Sequence, residues 1–365
     1  MGDEVYIKLR EHIDKMPAGY AKTESGAEIK MLKKFYTETQ AKIAVTIGPM
    51  PETDETIADR LDMDRETAIS EIRKMASEGS LFRVSTPDGP LFRHPNFIMG
   101  LYEWHVNVVD KEVAELADDI YDSLFENHWK GRKTKQLRVV PVDTSLNGKS
   151  TVKSYDIIRD LVKGTGQGPY AAAPCICRVE QIKKGNEVER PMETCLVFGI
   201  VAQYYIENGI GKELTVDQLM EKIDECEEAS LVPFSTNSKD IVNMCMCDKD
   251  SCQLFRNLRK FPKPAEEIHA AFYAFIDNTS CNGCMKCTKK CQIDAIFKTK
   301  VSAGKKTFIH EVDMDRCIGC GLCVDICPQN SLSMQEKEVL PDVPENALEM
   351  NMRIATERMQ LETMV

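Results

Sequence analysis

Two cysteine runs with the same spacing constrain this chain more than anything else in it. Cys281, Cys284, Cys287 and Cys291 follow the pattern C-x2-C-x2-C-x3-C, and Cys317, Cys320, Cys323 and Cys327 repeat it 36 residues later. Thiolates two residues apart on a short loop can wrap one corner of an iron–sulfur cube if the loop turns tightly and aims its N–H groups at the sulfides. Gly283, Gly319 and Gly321 ease that turn. The last cysteine of each run lies past its loop and reaches across to the neighbouring cluster. Two crossed sets of ligands for [4Fe–4S] clusters are expected: Cys281, Cys284, Cys287 and Cys327 for one, and Cys317, Cys320, Cys323 and Cys291 for the other. Zinc also uses C-x2-C pairs, but rarely in this doubled four-cysteine form.

Over residues 276–335 these motifs make the chain resemble the bacterial two-cluster ferredoxins. The resemblance implies a small pseudo-symmetric domain whose clusters lie close enough to exchange electrons, in an anaerobic or microaerobic cytoplasm. One departure is visible. The second run ends in Cys327-Pro328, as in the family, whereas the first ends in Cys291-Gln292 and so keeps an extra N–H near the second cluster.

The 365-residue chain is long enough for two or three domains. All fifteen cysteines lie after residue 174. The first residues, Met1 to Tyr6, lack the apolar core of a secretory signal, and the longest apolar run, 195–206, is too short to span a bilayer. A reducing, cytoplasmic setting follows, in which thiols bind metal rather than form disulfides. The net charge of −11 argues against a nucleic-acid partner. Residues 276–335 carry eight Lys and Arg against six Asp and Glu, a net of +2. Lys286, Lys289 and Lys290, beside the first cysteine loop, are either a solvated rim or a docking patch for an acidic redox partner.

The fold class expected is α+β and multidomain. Residues 1–105 read as a helical and winged-helix-like domain. Within them, helices over 37–47, 56–61 and 64–78 precede a hairpin over 80–94, with Asp64 as N-cap and Gly79 as stop. This order resembles a winged helix-turn-helix. Its third helix carries Asp64, Glu66, Glu71 and Glu78 against Arg65, Arg73 and Lys74, a net of −1, and only Arg83 and Arg93 on the wing would favour DNA. A structural or docking module is the expectation. Residues 106–135 form a connector, with an amphipathic helix over 109–125 and a basic, exposed linker over 130–135; Trp104 and Trp129 are read as packing residues.

Residues 136–262 are expected to form a cysteine-rich α/β domain. A strand is read over 136–142 and helices over 155–162, 195–207 and 215–229. The segment 146–151 mimics the end of a phosphate loop, but Asp143 stands where its first glycine belongs. Gly164 to Gly168 follows a helix rather than a strand, so neither is read as a nucleotide site. Cys226 falls on a helical stripe with Leu219 and Ile223 and is read as a core thiol. Cys175, Cys177, Cys195, Cys245, Cys247 and Cys252 remain. Residues i and i+2 of an extended segment point the same way, so each C-x-C pair can hold a metal or a cluster edge. No histidine lies among them, which suits a third iron–sulfur cluster or a four-thiolate zinc site; buried inert thiols are the alternative.

Residues 263–338 form the ferredoxin-type domain, entered by a helix over 265–276 and carrying a strand over 305–312. Residues 339–365 form a helical tail with Leu348, Met352, Ala355 and Met359 as its apolar stripe, expected to fold back on its own domain. The function expected is electron transfer to or from a partner oxidoreductase, through two [4Fe–4S] clusters and a candidate third site. A redox-sensing winged-helix regulator and an oxidoreductase acting at the middle cysteines are the alternatives.

Overall fold

The structure, a computed structural model, describes residues 3–146, 157–166, 168–300 and 308–364. Helices α1 (Glu4–Asp14), α2 (Ala27–Phe35) and α3 (Glu38–Ala44) open the chain, and Thr37 and Gln40 close a capping box at the start of α3. Then come β1 (Glu52–Thr53), α4 (Asp54–Ala58), α5 (Arg65–Glu78), β2 (Phe82–Thr86) and β3 (Gly89–Arg93), the strands lying in the order β1-β3-β2. Asp64 caps α5 by accepting the Thr67 N–H at 3.0 Å, and Gly79 ends it at φ +94°, a conformation costly for any residue with a Cβ.

A short turn, α6 (Tyr102–Trp104), and α7 (Lys111–Leu124) join this layer to the rest. Trp104 stacks on Phe82 at 5.3 Å and Trp129 on Phe125 at 4.8 Å, so both indoles serve packing. The 130–135 run is not an exposed linker. Arg132, Thr134 and Lys135 are buried, and the Lys135 ammonium, 2% exposed, meets Glu267 at 2.6 Å. A run of cations reads as solvated only while its acidic partner, here far along the chain, is out of view.

The middle of the chain is a six-stranded antiparallel sheet in the order β4-β8-β9-β6-β5-β7. Its elements are β4 (Leu137–Val139), α8 (Ile158–Gly164), β5 (Tyr170–Pro174), α9 (Ile176–Lys183), β6 (Glu193–Phe198), α10 (Gly199–Glu207), β7 (Lys212–Leu214), α11 (Val216–Glu228), β8 (Val232–Thr236), β9 (Asn243–Cys247) and α12 (Gln253–Leu258). The single helix expected over 195–207 is thus a strand followed by a helix. Both faces of β6 are covered, so its residues are apolar without alternation, a pattern that periodicity does not tell from a buried helix. Residues Asn147 to Thr151 of the phosphate-loop mimic, Tyr155 and Gln167 lie outside the described residues.

Alternation sorts the side chains of this sheet. Leu196, Phe198, Met244 and Met246 face α8 and α11, where Leu219, Ile223 and Cys226 complete one core. Cys195, Val197, Phe234 and Cys247 belong to the other core, toward the front of the molecule. Cys226 is therefore on the opposite side of the sheet from the remaining middle cysteines.

The C-terminal part comprises β10 (Phe272–Ile276), α13 (Lys286–Lys290), β11 (Ile296–Lys300), β12 (Phe308–Val312), α14 (Leu322–Asp325) and β13 (Leu332–Glu336), with pairs β10-β13 and β11-β12. The helix expected over 265–276 is instead a 3₁₀ turn at Pro264–Glu266 followed by β10. Phe272, Ala274 and Ile276 are buried while Phe275 is exposed, a period of two that decides for a strand. Lys305 to Thr307 lie outside the described residues.

The tail forms α15 (Ala347–Met364). Its buried contacts come from Met350 and Ile354, whereas Leu348, Met352 and Met359 of the expected stripe are exposed. It packs on the front of the chain rather than on the C-terminal domain: Glu357 accepts from Thr134 and Arg358 donates to Met16 O at 2.6 Å. Among the described residues no helix is long and apolar enough to cross a membrane.

Candidate metal centres

The two C-terminal runs adopt matching backbones. Gly283 and Gly319 have φ of +75° and +68°, Met285 and Gly321 +61° and +81°, and Asp294 and Asn330 +56° and +49°. Each pair is separated by the repeat distance. The N–H of Ala295 meets Cys291 Sγ at 3.2 Å, and the N–H of Ser331 meets Cys327 Sγ at 3.3 Å. These loops therefore present donors to sulfur, and two of the tight turns rest on glycine. A Cβ at Gly319 would lie 2.1 Å from Phe272 O, and one at Gly321 would lie 2.1 Å from Ser145 Oγ.

One C-terminal cavity is lined by Cys281, Cys284 and Cys287 together with Cys327 from the other run. Burial opposes the Cys327 thiolate, but the N–H groups of Gln329, Ser331 and Leu332 outweigh it and lower its pKa. The second loop is more enclosed. Burial, then the charges of Cys320, Cys317 and Cys291, pushes the Cys323 thiol well above its ordinary range, and burial pushes Cys320 up to about 12. Cys291 thus lies in the field of the Cys317 run and Cys327 in the cavity of the Cys281 run. Cys284 is exposed and Cys317 and Cys323 are buried, so the first site is the one nearer the surface.

The six middle cysteines line one apolar cavity of about 50 Å³. Cys195 and Cys245 face each other across β6 and β9, and Cys247 lies two residues on along the same face. Cys175 and Cys177 are not an extended pair: Cys175 is the N-cap of α9 and Cys177 sits in its first turn, while Cys252 caps α12. Pro174 ends β5, and the chain turns there into the helix.

The thiols form a string. Cys177 contacts Cys175 and Cys252, Cys252 lies 3.3 Å from Cys247, and Cys245 contacts Cys247 and Cys195. Cys245 and Cys252, each flanked by two thiols that hydrogen-bond to it, are shifted toward thiolate. Cys177, Cys195 and Cys247 are held protonated by the same contacts and by burial. Among the described residues no three His, Cys, Asp or Glu side chains converge on a point that would hold a single metal ion.

Arg178 went unnoticed in the sequence, where it reads as an ordinary helical arginine. Fully buried, it donates to Asp248 Oδ2 at 2.8 Å, Met246 O at 3.0 Å, Pro191 O at 2.9 Å and Thr194 Oγ1. One guanidinium therefore ties together the three segments bearing Cys177, Cys195 and Cys247, and adds positive charge beside six sulfurs. Glu180, two residues on, accepts from Tyr102 Oη at 2.5 Å and from Gln253 Nε2 at 2.8 Å, fixing the start of α12 next to Cys252. Burial pushes its carboxyl up to about 7.

Against known proteins, the 4Fe-4S dicluster domain model matches residues 280–337. Pyruvate synthase subunit PorD of Methanothermobacter marburgensis is 31% identical over 67 residues, which are 18% of this chain and 70% of that protein. The chain belongs to the 4Fe–4S dicluster ferredoxin family. A subunit of the ion-translocating oxidoreductase complex of Methanosarcina acetivorans is 40% identical over 83 residues, 20% of this chain and 29% of that protein. Ferredoxin-2 of Desulfomicrobium norvegicum is 50% identical over 30 residues, 8% of this chain and 51% of that ferredoxin. The chain thus spans less than a third of the length of the ion-translocating complex's protein that it matches. No solved structure matches it. The dicluster ferredoxin segment binds iron–sulfur clusters, and its role is electron transfer.

Proposed function

We propose that this chain is an electron-transfer subunit with three iron–sulfur sites. Two are the crossed sets Cys281, Cys284, Cys287, Cys327 and Cys317, Cys320, Cys323, Cys291; the third lies in the cavity of Cys175, Cys177, Cys195, Cys245, Cys247 and Cys252. When bound, the clusters accept and donate single electrons. The chain supplies sulfur ligands, N–H groups aimed at them and a buried cation. The observation that carries the reading is the link between the sites: Gln292, next to Cys291, accepts the Lys249 N–H at 3.1 Å, and Lys249 lies two residues after Cys247. Electrons would pass between the middle site and the second ferredoxin cluster along this short route, and leave through the exposed loop at Cys284 to a partner oxidoreductase. Two of the relatives are by name subunits, of an ion-translocating oxidoreductase complex and of a pyruvate synthase. Lys286 and Lys289, exposed beside Cys284, suit an acidic docking face.

In this reading the winged-helix-like front is a docking module. Arg83 is engaged by Glu207 at 2.7 Å and Arg93 lies over the Phe82 ring at 4.6 Å, so neither wing arginine projects toward a phosphate backbone. Iron and sulfide analysis of anaerobically prepared protein tests the proposal. Three cubanes give about twelve irons per chain and two give about eight. The double variant C245A/C247A is expected to lose about four irons while keeping the ferredoxin EPR signals. Eight irons in both proteins would remove the third site.

A further inference from the structure

A second chamber, of about 70 Å³, adjoins the six-cysteine cavity. Met99 and Tyr205 line both. Arg93 is the one charged side chain in its wall, and no carboxylate lines it among the described residues. The guanidinium is held flat against the Phe82 ring at 4.6 Å and donates to His94 O at 3.4 Å, but makes no ion pair among the described residues. Arg93 is half-buried, and a half-buried cation in a wall without a carboxylate is stabilised where an anion meets it. Neutral amides of Asn96, Gln136, Asn243 and Asn351 and the Thr236 hydroxyl share the chamber with an apolar patch that includes Val197 and Val242.

The partition between the two spaces is itself unusual. Met99 stands at φ +58°, ψ +50°, a left-handed conformation that a residue with a Cβ rarely adopts. Its sulfur lies 3.7 Å from Asn243 Nδ2 in the chamber and 3.9 Å from Cys245 Sγ in the cavity. Tyr205 Oη lies 4.0 Å from Cys195 Sγ.

We propose that this chamber binds a small monocarboxylate, its carboxylate on the Arg93 fork and its short carbon chain against Val197 and Val242. The planar fork of arginine matches a carboxylate, and apolar walls favour an acid with a carbon tail over phosphate or sulfate. Binding does not depend on what the cysteine cavity holds. If that cavity holds a cluster, the ligand lies one side chain from a redox group, and the chamber is where a substrate would meet it.

Isothermal calorimetry on the full-length, anaerobically prepared protein tests this, with acetate, propionate and butyrate at fixed ionic strength and with phosphate and chloride as controls. At least one of the three acids is expected to bind saturably and more tightly than phosphate. R93Q should weaken it at least tenfold, and A347F, which adds bulk to the chamber wall from α15, should do the same with the far-UV spectrum unchanged. Absence of saturable binding by all three acids, or equal binding by native, R93Q and A347F proteins, overturns the proposal. Because calorimetry reads binding and iron analysis reads the third site, failure of either leaves the other standing.

Discussion

Gln292 Oε1 accepts the Lys249 N–H at 3.1 Å while its Nε2 donates to Ser230 O at 3.3 Å. The side chain occupies the position where the second cysteine run has Pro328, and it is only 6% exposed. The first run thus trades a rigid ring for two hydrogen bonds into the middle domain, and the departure in sequence becomes a tether between two cysteine sites. Q292A is expected to leave two buried backbone groups unpaired and to destabilise the protein by about 1–3 kcal/mol. Q292P would restore the family residue and lose the same bonds, so both variants should show the same loss in anaerobic urea unfolding. A stabilised Q292P would mean that the tether contributes nothing.

Crossed ligation makes a prediction that uncrossed ligation does not. Cys327 lines the cavity of Cys281, Cys284 and Cys287, so C327A should perturb the EPR signal of the exposed first site. C291A should instead perturb the enclosed site of Cys317, Cys320 and Cys323, whose thiols feel its charge. Accessibility to an added paramagnetic relaxant distinguishes the two, the exposed site relaxing faster. If C327A altered the slower-relaxing signal, the assignment would be reversed.

The Arg178–Asp248 pair joins the middle cysteine segments in a site where both side chains are almost wholly buried, at 0% and 3% exposure. Removing one partner leaves the other charge uncompensated, at a cost of about 3–5 kcal/mol. D248A also removes the acceptor of the Ser251 N–H at 2.8 Å, just before Cys252. On the three-site proposal, D248A is therefore expected to lose about four irons first, with the ferredoxin signals persisting. Loss of all iron together would show that Arg178 supports the whole fold rather than this site.

Legibility in the sequence followed the range of the interactions. The dicluster spacing is local, and Cys226 announced itself by helical period because α11 carries its own amphipathic stripe. That all six remaining cysteines line one cavity depends on the register of β6 with β9, which pairs Cys195 with Cys245 across 50 residues of intervening chain. Arg178 was illegible for the same reason: its four acceptors come from 191–194 and 246–248. In α15 the apolar positions were seen but the wrong face was chosen, since Met350 and Ile354 pack inward while Leu348, Met352 and Met359 do not. A helix whose apolar residues lie on both sides does not reveal which side meets the neighbouring layer.

Two buried histidines lower stability as the pH falls, against the opposite pull of the buried Glu103 and Glu180 carboxyls, which burial raises to about 8 and about 7. His94 is 1% exposed; its Nδ1 meets Pro95 O at 2.8 Å, and among the described residues its Nε2 has no hydrogen-bond partner. Burial lowers its pKa to about 3, with His12 and Arg93 adding to the effect. His105, stacked on Phe35 at 3.9 Å, is lowered by burial to about 4. Both are neutral in the folded protein at pH values where the unfolded chain, titrating near 6.5, already binds a proton. The unfolded state therefore holds more protons below about pH 6.5, and stability falls as pH drops from there toward the folded values. Between pH 6.5 and 5 each histidine is expected to remove about 2 kcal/mol. H94Q, neutral at every pH, should reduce the slope of urea-unfolding free energy in that window by about 1 kcal/mol per pH unit. An unchanged slope in H94Q would place the acid sensitivity elsewhere.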